Sequence, residues 1–414
     1  MNDSRVRNLP FHYAWIIAVT GTFCIIACLG FGRFALGMIL PSMAKSLKLN
    51  YSQMGFISTG NFVGYLISVF FSGMVVSKFG QRLYIFLSLL LVGISMIFLS
   101  YSYNFFYLLF LYWLTGIGSG GANVSMMSLV SAWFTKKNRG KGAGIMTIGS
   151  GFAIIFSGVF IPYVNSIKGD EGWRFSWFFL GSLVIIIAIL CLLLLRNSPS
   201  DFGLNPLGFD EKGNEKIKKE NFHVEQRIYK NKVIYHLGAI YFLFGYTYVI
   251  YATFIVTTLV KERGFSESLA GNFWSWVGFL SLFSGPVFGI ISDKLGRKAG
   301  LIIVFSFQLI SYLLVASTLP GIFLYLSIFC YGFVAWSIPT IMAAAVGDYV
   351  GTQNSAKAFG FITFIFGLGQ IIGPTIAGIM AEKTGSFSSS FYMSAFLAAI
   401  AILLSAFLKK PQMK

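Results

Sequence analysis

"GIISDKLGRK", residues 289 to 298, ends a long apolar run on an acid, a glycine and several bases. A weaker copy, "GMVVSKFGQR", stands at residues 73 to 82, so that Gly73, Lys78 and Gly80 recur as Gly289, Lys294 and Gly296 at a shift of 216 positions. The same shift carries Gly116 onto Gly332, and Lys141, Gly144, Thr147 and Gly151 onto Lys357, Gly360, Thr363 and Gly367. A constant offset kept by several residue types marks an internal duplication more firmly than matching hydropathy does.

The duplicated segments lie in a very apolar chain. Of 414 residues 56% are hydrophobic and 11% charged, with a mean hydropathy of +0.75, values that belong to a polytopic membrane protein. Twelve apolar runs, at 14–41, 52–77, 83–101, 106–132, 142–165, 175–195, 233–259, 268–291, 299–318, 321–346, 357–381 and 389–408, are each long enough to cross a hydrocarbon core about 30 Å thick. The longest hydrophilic stretch, Arg196 to Lys232, divides them six and six. This predicts an N-terminal bundle over 1–196, a linker over 197–232 and a C-terminal bundle over 233–414. Six crossings per half give both halves the same orientation, so the repeat is parallel. The linker, with similar basic and acidic content, is expected to tether the halves without folding, and its "KIKKE" (216–220) to be a solvated face. The first run is too long for a signal-peptide core and has no cleavage site after it, so a retained N-terminus is expected.

A net charge of +17 invites a nucleic-acid reading, but the bases follow the membrane. With the N-terminus inside, 23 Lys and Arg fall on that side and seven on the other, Arg33 being the remaining one. The bias predicts both termini in the cytoplasm, a multi-pass protein of the cytoplasmic membrane and no nucleic-acid partner. Cys24, Cys28, Cys191 and Cys330 all fall inside apolar runs, as small packing residues, and neither a metal site nor a cofactor is expected. An enzyme would need grouped intramembrane acids, histidines or a nucleophile with its base, and the runs supply none. "GSGGAN" (118–123) lacks the Lys-Ser/Thr pair of a phosphate loop.

The 289–298 segment resembles closely the signature of the major facilitator superfamily: a Gly, an Asp four residues on, then a basic residue, Gly and a basic pair. Twelve runs in a 6+6 repeat extend the resemblance over nearly the whole chain. It implies an all-α membrane protein of the major facilitator fold, two six-helix bundles around a central cavity that opens alternately to each side. It also implies a gating role for Asp293, Lys294 and Arg297, with Ser77 standing where the first copy is expected to carry an Asp. A carboxylate is favoured near a helix N-terminus, so Asp293 is expected to latch the inside against the start of the fifth helix, with a weaker, uncharged contact on the Ser77 side. "WFTKKNRGKGAGI" (133–145), "GWRFSWFFLG" (172–181) and "SPSDFGLNPLG" (198–208) are similar to bacterial monocarboxylate and oxalate/formate carriers. "GFGRFALGMILP" (30–41), "GDYVG" (347–351) and "GLGQIIGP" (367–374) are similar to the YbfB/YjiJ group. Known carboxylate carriers of the first branch place a base in the eighth helix; this chain has none within that run.

Arg33 is the residue from which a cargo is read. It lies about 10 Å from the far end of the first run, within snorkelling reach, yet Gly30, Gly32 and Gly37 flank it, which suits close helix packing better than lipid. All fourteen Asp and Glu fall in tails, loops or last turns, so the sequence offers no carboxylate at that depth. A guanidinium forks onto carboxylate or phosphate, and the reading is a secondary active carrier of a small organic anion, a carboxylate first. Tyr246 shares a face of the seventh helix with Val249, the repeat mate of Arg33; Tyr248 and Tyr251 lie on neighbouring faces. Asn61, Asn123, Trp274, Trp336 and Gln370 complete the expected substrate-binding set. Each has an ordinary alternative as an interhelical hydrogen bond or packing residue, and Trp15, Trp113 and Trp173 read as interfacial belt. His12, His223 and His236 are not placed like a midplane proton relay, so coupling is either to a proton or to a counter-anion. A monomer in the bilayer is expected. The competing cargo is a hydrophobic or neutral compound for export, and a sensor that kept the fold but lost transport is the competing class.

Overall fold

The computed structural model describes residues 10–135, 137–209, 231–351 and 354–408. They form α1 (Ala14–Ser46), α2 (Tyr51–Phe79), α3 (Gln81–Leu99), α4 (Phe105–Trp133), α5 (Arg139–Lys168) and α6 (Gly172–Leu194) in the first half. The second half holds α7 (Lys232–Glu262), α8 (Glu267–Leu295), α9 (Arg297–Ala316), α10 (Ile322–Val350), α11 (Ser355–Thr384) and α12 (Ser388–Ala406). Among the described residues there are eleven unbroken spans long and apolar enough to cross a membrane. One of them, Arg139–Leu194, runs 56 residues, far beyond the roughly 20 a crossing needs, and is α5 and α6 joined by a 3-10 turn at Gly169–Glu171. No strand occurs among the described residues, only an isolated bridge between Phe134 and Leu207.

The duplication is written into the turns. Gly80 and Gly296, repeat mates after α2 and α8, adopt φ 76° and φ 90°, a left-handed backbone that side chains other than glycine rarely take. Gly169 and Gly385, also 216 apart, do the same at the α5–α6 and α11–α12 turns. Large apolar side chains stand outward, Phe70 at 74% exposure and Phe106 at 78%, an arrangement stable only where hydrocarbon is the solvent.

The described chain packs as two compact units. The first takes the chain as far as Leu36, Val63–Ile154 and the chain from Glu171 through α6. In it α3 packs on α4 and α6. Gly30 of α1 meets α5 so closely that a Cβ there would lie 2.0 Å from that of Ala153. Helices that gain nothing from hiding apolar surface in lipid must associate by such close backbone approach.

The second unit joins the C-terminal helices to Gly37–Phe62 and Ile155–Asp170, the far ends of α1, α2 and α5. Its helices repeat the neighbours of the first, α9 on α10 and α12. Two contacts within it are copies of each other. A Cβ on Gly55 of α2 would stand 2.4 Å from the Pro374 carbonyl oxygen of α11, and one on its mate Gly271 of α8 would stand 2.2 Å from the Gly158 oxygen of α5. Beside them Thr59 Oγ1 donates to Ile371 O at 3.0 Å, while Ser275 Oγ donates to Ile155 O at 3.2 Å. Gly55 and Gly271, Thr59 and Ser275, Ile155 and Ile371, and Gly158 and Pro374 are all related by the same shift of 216.

Two expectations are corrected. The linker does build structure over its first part: Ser198 and Asp201 form a capping box on the Pro199–Phe202 turn, Phe202 packs edge-on against Tyr13 at 4.9 Å, and Leu207 N donates to Trp133 O at 2.9 Å. A Pro at the first turn position and a buried aromatic supply the order that charge balance alone did not predict. Burial pushes the Tyr13 phenol up, with Arg196 and Arg82 opposing, and its hydroxyl donates to Leu194 O at 2.8 Å. The rest of the linker, with His223 and "KIKKE", lies outside the described residues. Trp173 is fully buried under Arg174, whose guanidinium sits 4.2 Å over its ring, so it is a core residue rather than a belt residue. Trp15 and Trp113 are half-buried. His236 bonds the Leu404 carbonyl at 2.8 Å, tying α7 to α12.

Candidate functional site

Between Ile26 and Phe34 the first helix leaves α geometry and winds as a π-helix, then resumes over Ala35–Ser46. Single π-turns widen the backbone and are frequent at functional sites. Arg33 stands in the last turn of this segment, 9% exposed, directed into protein rather than lipid. Two tyrosines of the same unit hold it. Its guanidinium lies 4.2 Å from the ring centroid of Tyr65 in α2, a cation–π contact, and Tyr112 Oη of α4 donates to its carbonyl oxygen at 3.1 Å. Tyr112 packs in turn against Trp177 of α6, with ring centroids 5.8 Å apart.

Tyr65 links the cation to Asn123, whose Nδ2 donates to Tyr65 Oη at 2.7 Å. Arg33 and Asn123 are therefore brought into one cluster through a residue that the sequence reading did not name. A signal existed: Tyr65 lies four positions after Asn61, on the same face of α2. Neither the π-turn nor the role of Tyr112 had one, since both depend on which helices meet at Arg33. Asn61 is buried at 1% exposure in α2 and belongs to the second unit.

A second cluster forms wholly within the second unit. Gln370 of α11 donates through Nε2 to Tyr248 Oη, Tyr248 meets Trp336 edge-on at 6.0 Å, and Tyr331 Oη donates to Tyr248 O at 2.9 Å. Tyr248 also stacks on Phe244 at 4.8 Å and on Phe366 at 5.8 Å. Trp336 marks the break in α10, between Ile322–Val334 and Ser337–Val350, where its backbone N–H donates to Ser284 Oγ at 3.1 Å. Gln370 and Trp336 thus come together on Tyr248, which the sequence ranked below Tyr246. Tyr246 is buried at 5%, its backbone pressed by Gly369 and Gly373 of α11. Trp274 is buried, and its indole N–H has no hydrogen-bond partner among the described residues.

The signature loop places its charges around Arg297. Its Nε donates to Asp348 Oδ2 at 2.7 Å and its Nη1 to Asp293 and, at 2.8 Å, to Ser292 Oγ. Asp348 comes from "GDYVG" in α10, which the sequence reading quoted as a likeness and gave no role. Lys294 is exposed in the last turn of α8. Ser77 Oγ donates within its own turn, to Met74 O at 2.8 Å, and the repeat mate of Arg297 is Gln81, which donates to Ser128 Oγ at 2.9 Å. The charged clamp of one copy is a neutral amide–hydroxyl pair in the other.

The architecture is that of the major facilitator superfamily. Residues 25–406 match the family described as "Uncharacterised MFS-type transporter YbfB", and the chain belongs to it; it is a membrane transporter protein and not an enzyme. It is 26% identical to the hexuronate transporter of Bacillus subtilis (strain 168) over 90% of this chain and 89% of that one. It is 22% identical to the probable sulfoacetate transporter SauU of Cupriavidus necator, covering 94% and 93%. Among solved structures it is similar to a bacterial homologue of the human lysosomal transporter Spinster in an inward-facing, occupied conformation. That likeness has a TM-score of 0.74 at 14% identity over 95% of this chain and 96% of that one.

Proposed function

We propose that this protein carries a small organic anion, a carboxylate first, across the cytoplasmic membrane by alternating access, with Arg33 as the charge anchor. The observation that carries this reading is a guanidinium sunk in a helix bundle, set on a π-turn and held by two tyrosines. A cation taken out of water interacts with an anion far more strongly than at a surface. A guanidinium carries its N–H donors in one plane, the geometry from which a carboxylate accepts two bonds. The relatives named for hexuronate and sulfoacetate support an anionic cargo. Tyr246, Tyr248, Trp336 and Gln370 are proposed as uncharged substrate contacts, and so are Asn61 and Trp274.

The basic residues, 23 on one side and seven on the other, support cytoplasmic termini. The six-and-six division of the sequence is the proposed division of moving parts, and the paired Gly55 and Gly271 contacts are the ones that part when the far end opens. The Asp293–Arg297–Asp348 clamp is proposed to set the near-end gate. Charge carried by the cargo is balanced by a proton or by exchange for a counter-anion.

The test uses purified full-length protein in thermal unfolding with a panel of mono- and dicarboxylates, followed by uptake of the best one into proteoliposomes. Stabilisation of wild type that Arg33→Ala abolishes and Arg33→Lys weakens supports the reading. Equal stabilisation of wild type and Arg33→Ala sinks it in favour of a neutral or hydrophobic cargo, and binding without flux points to a sensor.

A further inference from the structure

We infer that the cargo carries a hydroxyl a few bonds from its carboxylate and that Asn123 reads it; this rests on the anion reading above. Among the described residues the Asn123 side chain makes one hydrogen bond, from Nδ2 to Tyr65 Oη at 2.7 Å, while its Oδ1 is shut away from solvent with no hydrogen-bond partner. Buried amide oxygens are rarely left so, and when they are, a ligand atom is a natural complement. The amide is also fixed in place. One turn earlier Gly120 brings α4 onto α2, where a Cβ would lie 2.6 Å from the Tyr65 carbonyl oxygen, so the two backbones meet tightly beside the amide.

The arrangement sets both the chemistry and the spacing of the cargo. The guanidinium sits 4.2 Å from the Tyr65 ring centroid and the amide 2.7 Å from the hydroxyl of that ring. Laid end to end with the ring radius, these bound the separation of cation and amide to about 10 Å, the reach of a short acid plus a hydrogen bond at either end. An amide can be set with either its oxygen or its nitrogen toward the cluster. A hydroxyl donates and accepts, so it completes Asn123 in either setting, and a methylene completes it in neither. Sites built to bond a substrate hydroxyl reject the analogue that lacks it.

The test compares matched acids on the purified full-length protein: lactate with propionate, malate with succinate, and 4-hydroxybutyrate with butyrate, each titrated for half-maximal thermal stabilisation. In wild type at least one hydroxy acid is expected to act at a tenfold or more lower concentration than its mate. Asn123→Leu is expected to bring that pair within about twofold by weakening the hydroxy acid alone. Tyr65→Phe, which removes the hydroxyl that orients the amide but keeps the ring, is expected to narrow the ratio in part. Equal action of all mates on wild type, with Arg33→Ala abolishing both, overturns the hydroxyl inference and leaves the anion reading standing. A ratio that persists in Asn123→Leu also overturns it. No stabilisation by any member sinks both.

Discussion

The two copies of the repeat share a backbone and divide the chemistry between them. In the first copy the charge lies within the membrane: Arg33 occupies a π-turn of α1, where α7 presents Val249 in unbroken α-helix. In the second copy the charge lies at the signature loop: Arg297 is clasped by Asp293 and Asp348, where the first copy holds Gln81 against Ser128. Packing is kept, as the Gly55 and Gly271 contacts demonstrate, while Arg33 and Arg297 each face an uncharged mate, Val249 and Gln81, in the other copy. Close backbone approach is needed on both sides of a duplicated fold, whereas a buried cation is costly and, among the described residues, stands at Arg33, where an aromatic ring offsets it.

That contrast can be broken most sharply at Arg33. Arg33→Ala is expected to weaken anion binding by about a hundredfold or more, in the range seen when one partner of a desolvated charge pair is truncated. Introducing the charge at its mate in the Arg33→Ala background, as Val249→Arg, is expected not to restore binding, because that site has no π-turn; ligand-dependent thermal shifts read both. Restored binding would mean that the two copies are chemically equivalent after all.

The packing half of the comparison predicts equality. Gly55→Ala and Gly271→Ala each drive a methyl onto a carbonyl oxygen and are expected to lower stability by similar amounts, about 1–3 kcal/mol each. Thermal unfolding in detergent measures this, and a large difference between the two would show that the far-end contacts are not true copies. At the loops the expected effects are smaller and unequal. Arg297→Gln removes a clamp whose carboxylates are 63% and 40% exposed, so about 1 kcal/mol is expected, fading as salt rises, while Gln81→Ala should cost less and show no salt dependence. Smallest of all, Lys45→Ala cuts a pair with Asp170 whose side chains are 71% and 66% exposed, and its unfolding temperature should stay within error of wild type.

Much of this was legible in residue order. The run lengths gave twelve crossings, the offset of 216 gave the repeat, and the glycines of the signature loops turned out to be the left-handed turn positions that only glycine fills easily. Arg33 stood out because a strongly hydrated cation in an apolar run demands a reason. What stayed hidden shares one cause. Tyr65 was one tyrosine among 20, and only the approach of α2 and α4 makes it the bridge between Arg33 and Asn123. Tyr248 was ranked behind Tyr246 because helical spacing assigns a face but not the neighbour across it, and Gln370 turned out to be bonded to Tyr248. Trp173 read as interfacial because hydropathy sees its place near a helix end and not the helices that cover it.

The sequence by itself determined the solvent of this protein, the number of its crossings, its duplication and the presence of a cation at depth, because these follow from length, polarity and offset along one chain. The tertiary structure alone decided that the cation sits on a π-turn, over a tyrosine ring whose hydroxyl is bonded by an amide with an oxygen that has no hydrogen-bond partner among the described residues. Such facts belong to meetings between helices, and in a membrane those meetings are set by shape and hydrogen bonds rather than by the apolar pattern, which looks alike on every face.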